Sequence, residues 1–255
     1  MGDLPGGTVN SSVTHLSRDG LEAAVISSST PGAQAARWTQ GSSLQGLGYL
    51  PDPTPIGDPL SRSLAISGDG RHIVGDSRVS GYLQPFVWNA VDRMDPLDPS
   101  NVVIDSGAAF DVSDDGNFAV GWGSKNGQRV AFHWSRFNGM RPLEDVLLDD
   151  GISVAGLSLR TASAISADGT FIAGTIRNTN GDDEAYLARI RLRGCNGADI
   201  APPTGIISQA DVNAFVDAFF ANDPRVLELA EPREVGSQAD ITEFVRLFFA
   251  GCPAS

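Results

Sequence analysis

Lysine is almost absent from this 255-residue sequence, which contains only one, Lys125. Lysine and arginine together number 18 against 31 aspartates and glutamates, so the formal net charge at pH 7 is -13. A chain with this excess of negative charge repels nucleic-acid phosphates and anionic lipid surfaces. We therefore expect no nucleic-acid partner and no membrane-surface partner.

Long apolar segments and catalytic motifs are missing as well. No run of about 18 apolar residues is present, so no membrane span is predicted. Residues 1–7 contain neither a basic segment nor an apolar core, so they do not form a signal peptide. No phosphate loop, G-x-S-x-G elbow or H-E-x-x-H motif occurs, and His15, His72 and His133 fall at different positions of three repeats. We expect no catalytic residues and no histidine metal site.

The sequence contains instead an internal repeat of about 50 residues. The third copy shows an S-D-D-G turn at 113–116, then F-A-V-G at 118–121 and A-F-H-W at 131–134. The turn glycine and the tryptophan of each copy are Gly20 and Trp38, Gly70 and Trp88, Gly116 and Trp134, and Gly169, whose copy has Ala188 in place of tryptophan. A period of this length is typical of solenoids, propellers and repeat arrays.

Within each copy, short β-rich runs are separated by Asp-Gly and Asn-Gly turns. In the third copy the predicted strands cover 108–113, 118–123, 129–135 and 140–143. Four antiparallel strands per period predict a mainly β, propeller-like array of about four four-stranded blades. The fourth copy lacks a fourth strand of its own. The N-terminus either supplies that strand or belongs to a longer propeller, and we favour the longer propeller with an incomplete ring here.

Several repeat residues have structural explanations. Gly75, Gly121 and Gly174 lie inside strands, where glycine is typical of a site that a large ring or another backbone approaches closely, and the tryptophans are the expected rings. Each tryptophan is predicted to fill the space between adjacent sheets. The turn aspartates are predicted to be structural rather than a ring of ligands, and they are Asp19, Asp69, Asp115 and Asp168.

These motifs resemble the HAF repeat of secreted bacterial proteins, in which an S-x-D-G turn, a V-x-G strand and an A-F-x-W strand recur. The L-P-G-G sequence at 4–7 matches the junction of that family, and 48–51 preserves part of it. The resemblance covers residues 3–192. It implies a secreted or surface propeller and no catalytic residues.

A second repeat, with a period of 29 residues, begins after Gly194. Apolar residues recur at helical spacing in 212–220 and again in 241–249, which predicts two amphipathic helices. Each follows a Ser-Gln-Ala-Asp start, at 208–211 and 237–240, that is suited to capping a helix. The sequence therefore divides into a propeller-like domain, 1–193, and a small helical domain, 194–255.

The helical domain resembles a GC-type dockerin-like module of secreted and surface-anchored proteins. Cys195 and Cys252, the only cysteines, frame it. A disulfide between them would indicate an oxidising compartment and would stabilise the domain by about 4 kcal/mol in the chain-entropy picture. The alternative is two buried free thiols in a cytosolic protein.

Dockerins bind calcium, and the weak candidate ligands here are Asp199 with Asp211, and Glu228 with Asp240. Alanine and proline fall between them where further oxygen ligands are needed, and two carboxylates rarely hold calcium tightly. Asp211 and Asp240 also suit helix N-termini, where negative charge is favourable. We expect no cofactor, with calcium as the one ion that these carboxylates could hold.

The sequence thus predicts a non-enzymatic extracytoplasmic protein, secreted or on the cell surface, whose signal peptide is encoded upstream of this chain. The propeller-like domain would bind an extracellular protein or glycan, and the helical domain would attach to a cell-surface partner. One alternative is a polysaccharide-degrading enzyme, indicated by two carboxylates about 5 to 10 Å apart in a central pocket. The other is a structural repeat fragment without activity.

Overall fold

The computed structural model describes residues 2–91, 93–136, 138–190, 209–220 and 238–250. The chain divides into two compact units, Met1–Ile190 and Arg191–Ser255, close to the boundary predicted at residue 193. Within the described ranges, no helix is long and apolar enough to span a membrane. Cys195, Cys252, Asp199 and Glu228 lie outside them, so the disulfide and the calcium ligands stay predictions.

The first unit, called here the propeller-like unit, consists of antiparallel sheets in which each strand pairs with its neighbours in the chain. Sheet 1 contains β1 (Gly6–Leu16), β2 (Glu22–Ser29), β3 (Ala33–Thr39) and β4 (Gln45–Gly48), and sheet 2 contains β5 (Ser61–Ile66), β6 (Ile73–Val79), β7 (Tyr82–Asn89) and β8 (Arg93–Pro96). Sheet 3 contains β9 (Ser106–Val112), β10 (Phe118–Lys125), β11 (Gln128–Ser135) and β12 (Gly139–Pro142), and sheet 4 contains β13 (Ser158–Ile165), β14 (Phe171–Arg177) and β15 (Asp183–Arg189).

The prediction of a mainly β, propeller-like array is confirmed. In the third copy, the observed strands begin and end within about two residues of the predicted ones, as expected for boundaries set by hairpin turns. Among the described residues, the fourth sheet has three strands. The N-terminal segment joins sheet 1 instead of completing sheet 4. The Leu4 amide donates to Ser27 Oγ at 3.0 Å, and the Leu4 side chain packs on Ala23 and Val25.

Each sheet packs on the next along the chain through small and aromatic residues. Trp88 is fully buried in a cluster that joins Ala24 and Ala35 of sheet 1 to Ile66 and Phe86 of sheet 2. Trp134 packs in the same way against a cluster that joins sheets 2 and 3. The innermost strand of sheet 1, β1, and the outermost strand of sheet 4, β15, are largely exposed.

The strand glycines accommodate phenylalanine and tyrosine rings, not the tryptophans predicted from the sequence. A Cβ on Gly75 would lie 1.8 Å from the Arg62 carbonyl oxygen and 3.2 Å from Phe86. Gly121 and Gly174 meet Phe132 and Tyr186 in the same way. Each of these rings is the cross-strand partner of its glycine, whereas the tryptophans two residues later in sheets 2 and 3 pair with Ile73 and Ala119, and sheet 4 has alanine at that position.

Residues 143–151, between the third and fourth copies of the repeat, contain a short helix, α1 (Leu143–Asp149). Its two leucines at i and i+4, Leu143 and Leu147, are buried, and this burial of one helical face explains why the segment is not an open loop.

The second unit contains helices at both predicted segments, α2 (Gln209–Phe220) and α3 (Gln238–Ala250). Phe215 of α2 and Phe244 of α3 are equivalent residues of the 29-residue repeat. Both are buried, and their rings stack with centroids 4.0 Å apart. Asp211 and Asp240 lie in the first turns of these helices.

Candidate functional site

The four Ser-x-Asp-Gly turns lie side by side at one end of the propeller-like unit, and we call them the turn row (17–20, 67–70, 113–116 and 166–169). Backbone hydrogen bonds join consecutive turns: Arg18 N–H donates to the Gly68 carbonyl at 3.1 Å, Asp69 N–H to Asp114 at 3.0 Å, and Asp114 N–H to Ala167 at 3.0 Å. The turn row therefore forms one continuous surface across the four sheets.

The turn aspartates accept hydrogen bonds from groups of their own turns. Asp19 Oδ1 accepts hydrogen bonds from Ser17 Oγ and from the Leu21 amide, at 2.7 and 3.0 Å, and the other three copies repeat this arrangement. The Leu21 amide lowers the pKa of Asp19, and the Ser166 hydroxyl lowers the pKa of Asp168. The structure thus places these aspartates in turns and brings no set of them together as a ligand cluster.

A cavity of about 260 Å³, called here the inner groove, opens beside the turn row. It is lined by the ends of the innermost strands, and its polar side chains are His15, Arg18, Asp111 and Asp114. Two carboxylates therefore line the same cavity, which is one of the features that the enzyme alternative requires.

Asp111 and His15 have the same structural task in their repeats. His15 Nδ1 accepts the Ile66 amide of the next sheet at 3.2 Å, and Asp111 Oδ2 accepts the Ile165 amide of the next sheet at 2.9 Å. The other oxygen of Asp111 accepts the Val112 amide at 2.9 Å. Burial raises the pKa of Asp111, although these amide hydrogen bonds oppose the rise. Both side chains connect neighbouring innermost strands.

Asp114 is held by an ion pair with Arg18 that connects sheet 3 to sheet 1. The pair passes over Gly68 of sheet 2, where a Cβ would lie 2.0 Å from the Asp114 carboxylate. Glycine at this one position of the turn row therefore permits the ion pair. Every charged side chain that lines the inner groove thus has a partner within the protein.

A second cavity, of about 450 Å³, lies next to the turn row, and we call it the arginine pocket. Its lining residues come from sheets 1, 2 and 3 and are Arg37, Arg71, His72, Asn89, Ala90, Val91 and Arg136. The lining contains cationic, neutral and apolar side chains but no carboxylate among the described residues. It is therefore a local concentration of positive charge on a chain whose net charge is -13.

The three arginines of this pocket differ in their partners. Arg37 forms an ion pair with Glu22 and donates to the Gly70 carbonyl at 3.2 Å. Arg71 and Arg136 are exposed, and neither guanidinium has a hydrogen bond or an ion pair within the part of the chain that the structure describes. Two of the three positive charges are thus uncompensated by a direct partner.

His72 forms the floor of the arginine pocket. Its Nδ1 atom is buried without a hydrogen-bond partner and faces Gly116, where a Cβ would lie 2.1 Å away. Burial lowers the pKa of His72, and the charges of Arg136 and Arg71 lower it further while Asp69 opposes them. The imidazole is therefore biased towards its neutral form.

The three histidines lie in different places, as their sequence positions predicted. His15 lines the inner groove, His72 the arginine pocket, and His133 is buried and stacks on Phe118 with ring centroids 5.7 Å apart. His133 lies on the opposite face of its strand from Trp134, and only 7% of the residue is exposed because sheet 4 packs over this face. No group of three or more potential metal ligands occurs among the described residues.

The arginine pocket was not predicted from the sequence. Arg37 precedes a repeat tryptophan, Arg71 follows a turn glycine, and Arg136 follows Trp134 by two residues, so the three arginines share no position in the repeat. The one available signal is that Arg71 and Arg136 both follow a turn or strand end next to the turn row. Their convergence depends on how three sheets are stacked.

No protein-family model matches this chain, and no curated protein matches it. Solved structures are similar at low identity: TolB from Acinetobacter baumannii (15% identity, TM-score 0.47), a prolyl endopeptidase (10%, 0.45) and a puromycin hydrolase (11%, 0.47). The alignments cover 71%, 70% and 71% of this chain but 41%, 28% and 27% of those chains. The chain thus spans less than half the length of these proteins, and no functional argument rests on the similarity.

Proposed function

We propose that this protein is a non-enzymatic extracytoplasmic binding protein. Its propeller-like unit recognises an extracellular protein or glycan, and its dockerin-like C-terminal unit attaches it to the cell surface or to a partner. The observation that carries the recognition role is that the inner groove and the arginine pocket both open at the turn row. Loops at one end of a rigid scaffold are a common place for binding residues.

The partners of the two carboxylates in the inner groove favour a binding role over a catalytic one. Each oxygen of Asp111 accepts a backbone amide, and Asp114 is paired with Arg18, so both carboxylates of the inner groove already have partners within the protein. A general acid or a nucleophile must reach the substrate, whereas these carboxylates hold the sheets together.

Exposed apolar residues support the attachment role. Phe220 and Phe249 are equivalent in the 29-residue repeat, and 80% and 82% of their surfaces are exposed. Each lies one turn from a half-exposed valine, Val216 or Val245. Exposed aromatic residues of this size are typical of interaction surfaces.

The recognition role is tested by amide hydrogen exchange of the full chain in the presence of extracellular glycans and proteins of the native host. Bound ligand should slow exchange in the turn row and leave the hairpin turns at the opposite end of the sheets, 80–81, 126–127 and 180–181, unchanged. Protection confined to those opposite hairpins would contradict the proposed site.

The attachment role is tested by fractionating the native host, with the upstream DNA retained. The full chain should stay with the cell envelope, and a chain that ends before Gly194 should be released to the medium. A full-length Phe220→Ser/Phe249→Ser variant should also be released, whereas the matched exposed change Val9→Ser in β1 should not. If all forms stay in the cytosol, the extracytoplasmic assignment is wrong.

A second candidate function is cleavage of an extracellular polysaccharide. It draws on the observation that Asp111 and Asp114 line the same groove and that burial raises the pKa of Asp111. Turnover of a polysaccharide by the full chain, abolished by Asp111→Asn without loss of folding, would replace the binding proposal.

A further inference from the structure

We propose that the arginine pocket binds a small ligand that carries two negatively charged oxyanion groups, either carboxylate or phosphate. The inference deepens the recognition role proposed above, on which it rests, by naming a ligand class for one cavity beside the turn row. It is independent of the inner groove, whose charged side chains already have partners.

The first argument is the placement of charge. Arg37, Arg71 and Arg136 come from three different sheets, yet they line one cavity that contains no described carboxylate. Like charges repel, so Arg71 and Arg136, which have no ion-pair partner among the described residues, are unfavourable neighbours unless a ligand or solvent ions neutralise them. The net charge of the chain is -13, yet none of the acidic residues that the structure describes lines this cavity.

The second argument is the chemistry of the donors. A guanidinium offers N–H groups in a planar fork that matches the two oxygens of a carboxylate or of a phosphate. Because Glu22 already neutralises Arg37, the uncompensated charges are those of Arg71 and Arg136. Two such charges match a ligand with two negative charges. Arg37, held in place by Glu22 and by the Gly70 carbonyl, borders the same space with a fixed orientation.

The third argument is size and the nature of the wall. A cavity of about 450 Å³ lies in the range of small-molecule sites. Ala90 and Val91 form an apolar side of the pocket, and 85% of the Val91 surface is exposed. A short hydrocarbon segment between two anionic groups would cover this wall. These features favour a small organic dianion over a simple inorganic ion.

The test is calorimetric titration of the full chain at about 20 mM salt, where screening of charges is weak. The probes are succinate and inorganic phosphate, with acetate as the single-charge control. We expect saturable, equimolar binding of a divalent probe and weaker binding of acetate. Tighter binding of succinate would support two separate anionic groups on a short hydrocarbon segment, whereas tighter binding of phosphate, a single oxyanion group, would contradict them.

Variants connect the binding to this pocket. Arg71→Gln and Arg136→Gln should each weaken binding by about tenfold or more, since each removes one bidentate charged donor. The matched control is Arg129→Gln, which removes an exposed arginine at the opposite end of sheet 3 and should leave the affinity within about twofold. Val91→Glu, which adds a carboxylate to the wall, should abolish binding even if an arginine variant fails to fold.

Four results would overturn the inference: no saturable binding of either divalent probe, tighter binding of phosphate than of succinate, equal weakening by Arg129→Gln, or binding that Val91→Glu leaves intact. None of these would decide the recognition role itself, because protection of the turn row by another ligand is measured separately by hydrogen exchange. Conversely, the probes could bind while extracellular glycans and proteins leave hydrogen exchange in the turn row unchanged. That outcome would support the small-ligand pocket and contradict recognition of an extracellular protein or glycan.

Discussion

Trp88 and Trp38 occupy the same position of the repeat but lie in different surroundings. Trp88 is fully buried because sheet 1 covers the face of sheet 2 on which it lies. Trp38 lies on the corresponding face of sheet 1, where it packs only on its own sheet and on Leu4, and it is partly exposed. The same residue therefore contributes to a sheet interface in one copy and to an uncovered face in the other.

The opposite face of each sheet shows the same contrast. His133 and Leu187 both stand at the position equivalent to the residue before the repeat tryptophan. His133 is 7% exposed because sheet 4 follows sheet 3, whereas Leu187 in sheet 4 is 72% exposed. The repeat sequence thus specifies each sheet, but the neighbouring sheet decides how strongly a residue is buried.

The largest expected difference is between the two tryptophans. Trp88→Ala should destabilise the propeller-like unit by about 4 kcal/mol, since it removes a fully buried ring and leaves a cavity between two sheets. Trp38→Ala should cost less than about half as much, because its ring has neighbours on one side only. Denaturant unfolding followed by circular dichroism measures both. Equal losses would show that Trp38 is covered in solution.

The next prediction concerns the histidine on the covered face. Burial lowers the pKa of His133 to about 4, from an ordinary value of 6.5. As pH falls, the unfolded chain therefore binds the proton first, and stability is lost between about pH 6.5 and 4. Each tenfold difference in proton affinity between the folded and unfolded chain is worth about 1.4 kcal/mol, so the loss approaches about 3 kcal/mol.

The matched variant is His133→Leu, which places at this position the residue found at 187. Unfolding free energies at pH 7.5 and 4.5 should fall less for the variant than for the parent chain. The comparison cancels the other titrating groups, including the buried pair Asp76 and Arg62, because both proteins contain them. If the unfolding free energies of the parent chain and the variant changed equally with pH, the pKa of His133 would not be lowered in the folded chain.

The strands of one repeat are predictable from sequence, because alternation and turn residues act over a few positions. The Asn126-Gly127 turn, whose two residues have positive φ, sets the register of β10 and β11 and with it the predicted bounds. The sequence pattern favours the wrong ring for Gly75, because Trp88 lies two residues beyond Phe86 on the same face of the strand, and only the register of the hairpin decides which ring lies opposite the glycine. Phe86, not Trp88, is its cross-strand neighbour.

The candidate sites could not be predicted in the same way. The ion pair of Arg18 with Asp114 and the convergence of Arg37 with Arg136 each join residues almost 100 positions apart in the chain. They depend on how sheet 1 is stacked on sheet 2 and sheet 2 on sheet 3. No local pattern encodes that offset, so the polar residues of the inner groove and the arginine pocket looked like ordinary surface residues.

The smallest predicted effect tests whether the segment around Leu4 covers part of the face of sheet 1 on which no neighbouring sheet packs. The Leu50 amide donates to Ser77 Oγ of the next sheet at 3.0 Å, and the Leu4 amide donates to Ser27 Oγ at the same distance. Both serines are fully buried. Each hydroxyl also donates a hydrogen bond, Ser77 to the Leu60 carbonyl and Ser27 to Asp3 Oδ1, so Ser77→Ala and Ser27→Ala should each cost about 1 to 2 kcal/mol.

Equal losses of unfolding free energy would mean that the segment around Leu4 is held on sheet 1 as firmly as the segment around Leu50 is held on sheet 2. The segment around Leu4 would then cover part of the face of sheet 1, and the rest of that face would stay exposed. A loss confined to Ser77→Ala would instead mean that Leu4 is held only by its apolar contacts. In that case, the packing of Leu4 on Ala23, Val25 and Ala36 is enough to keep this segment beside Trp38.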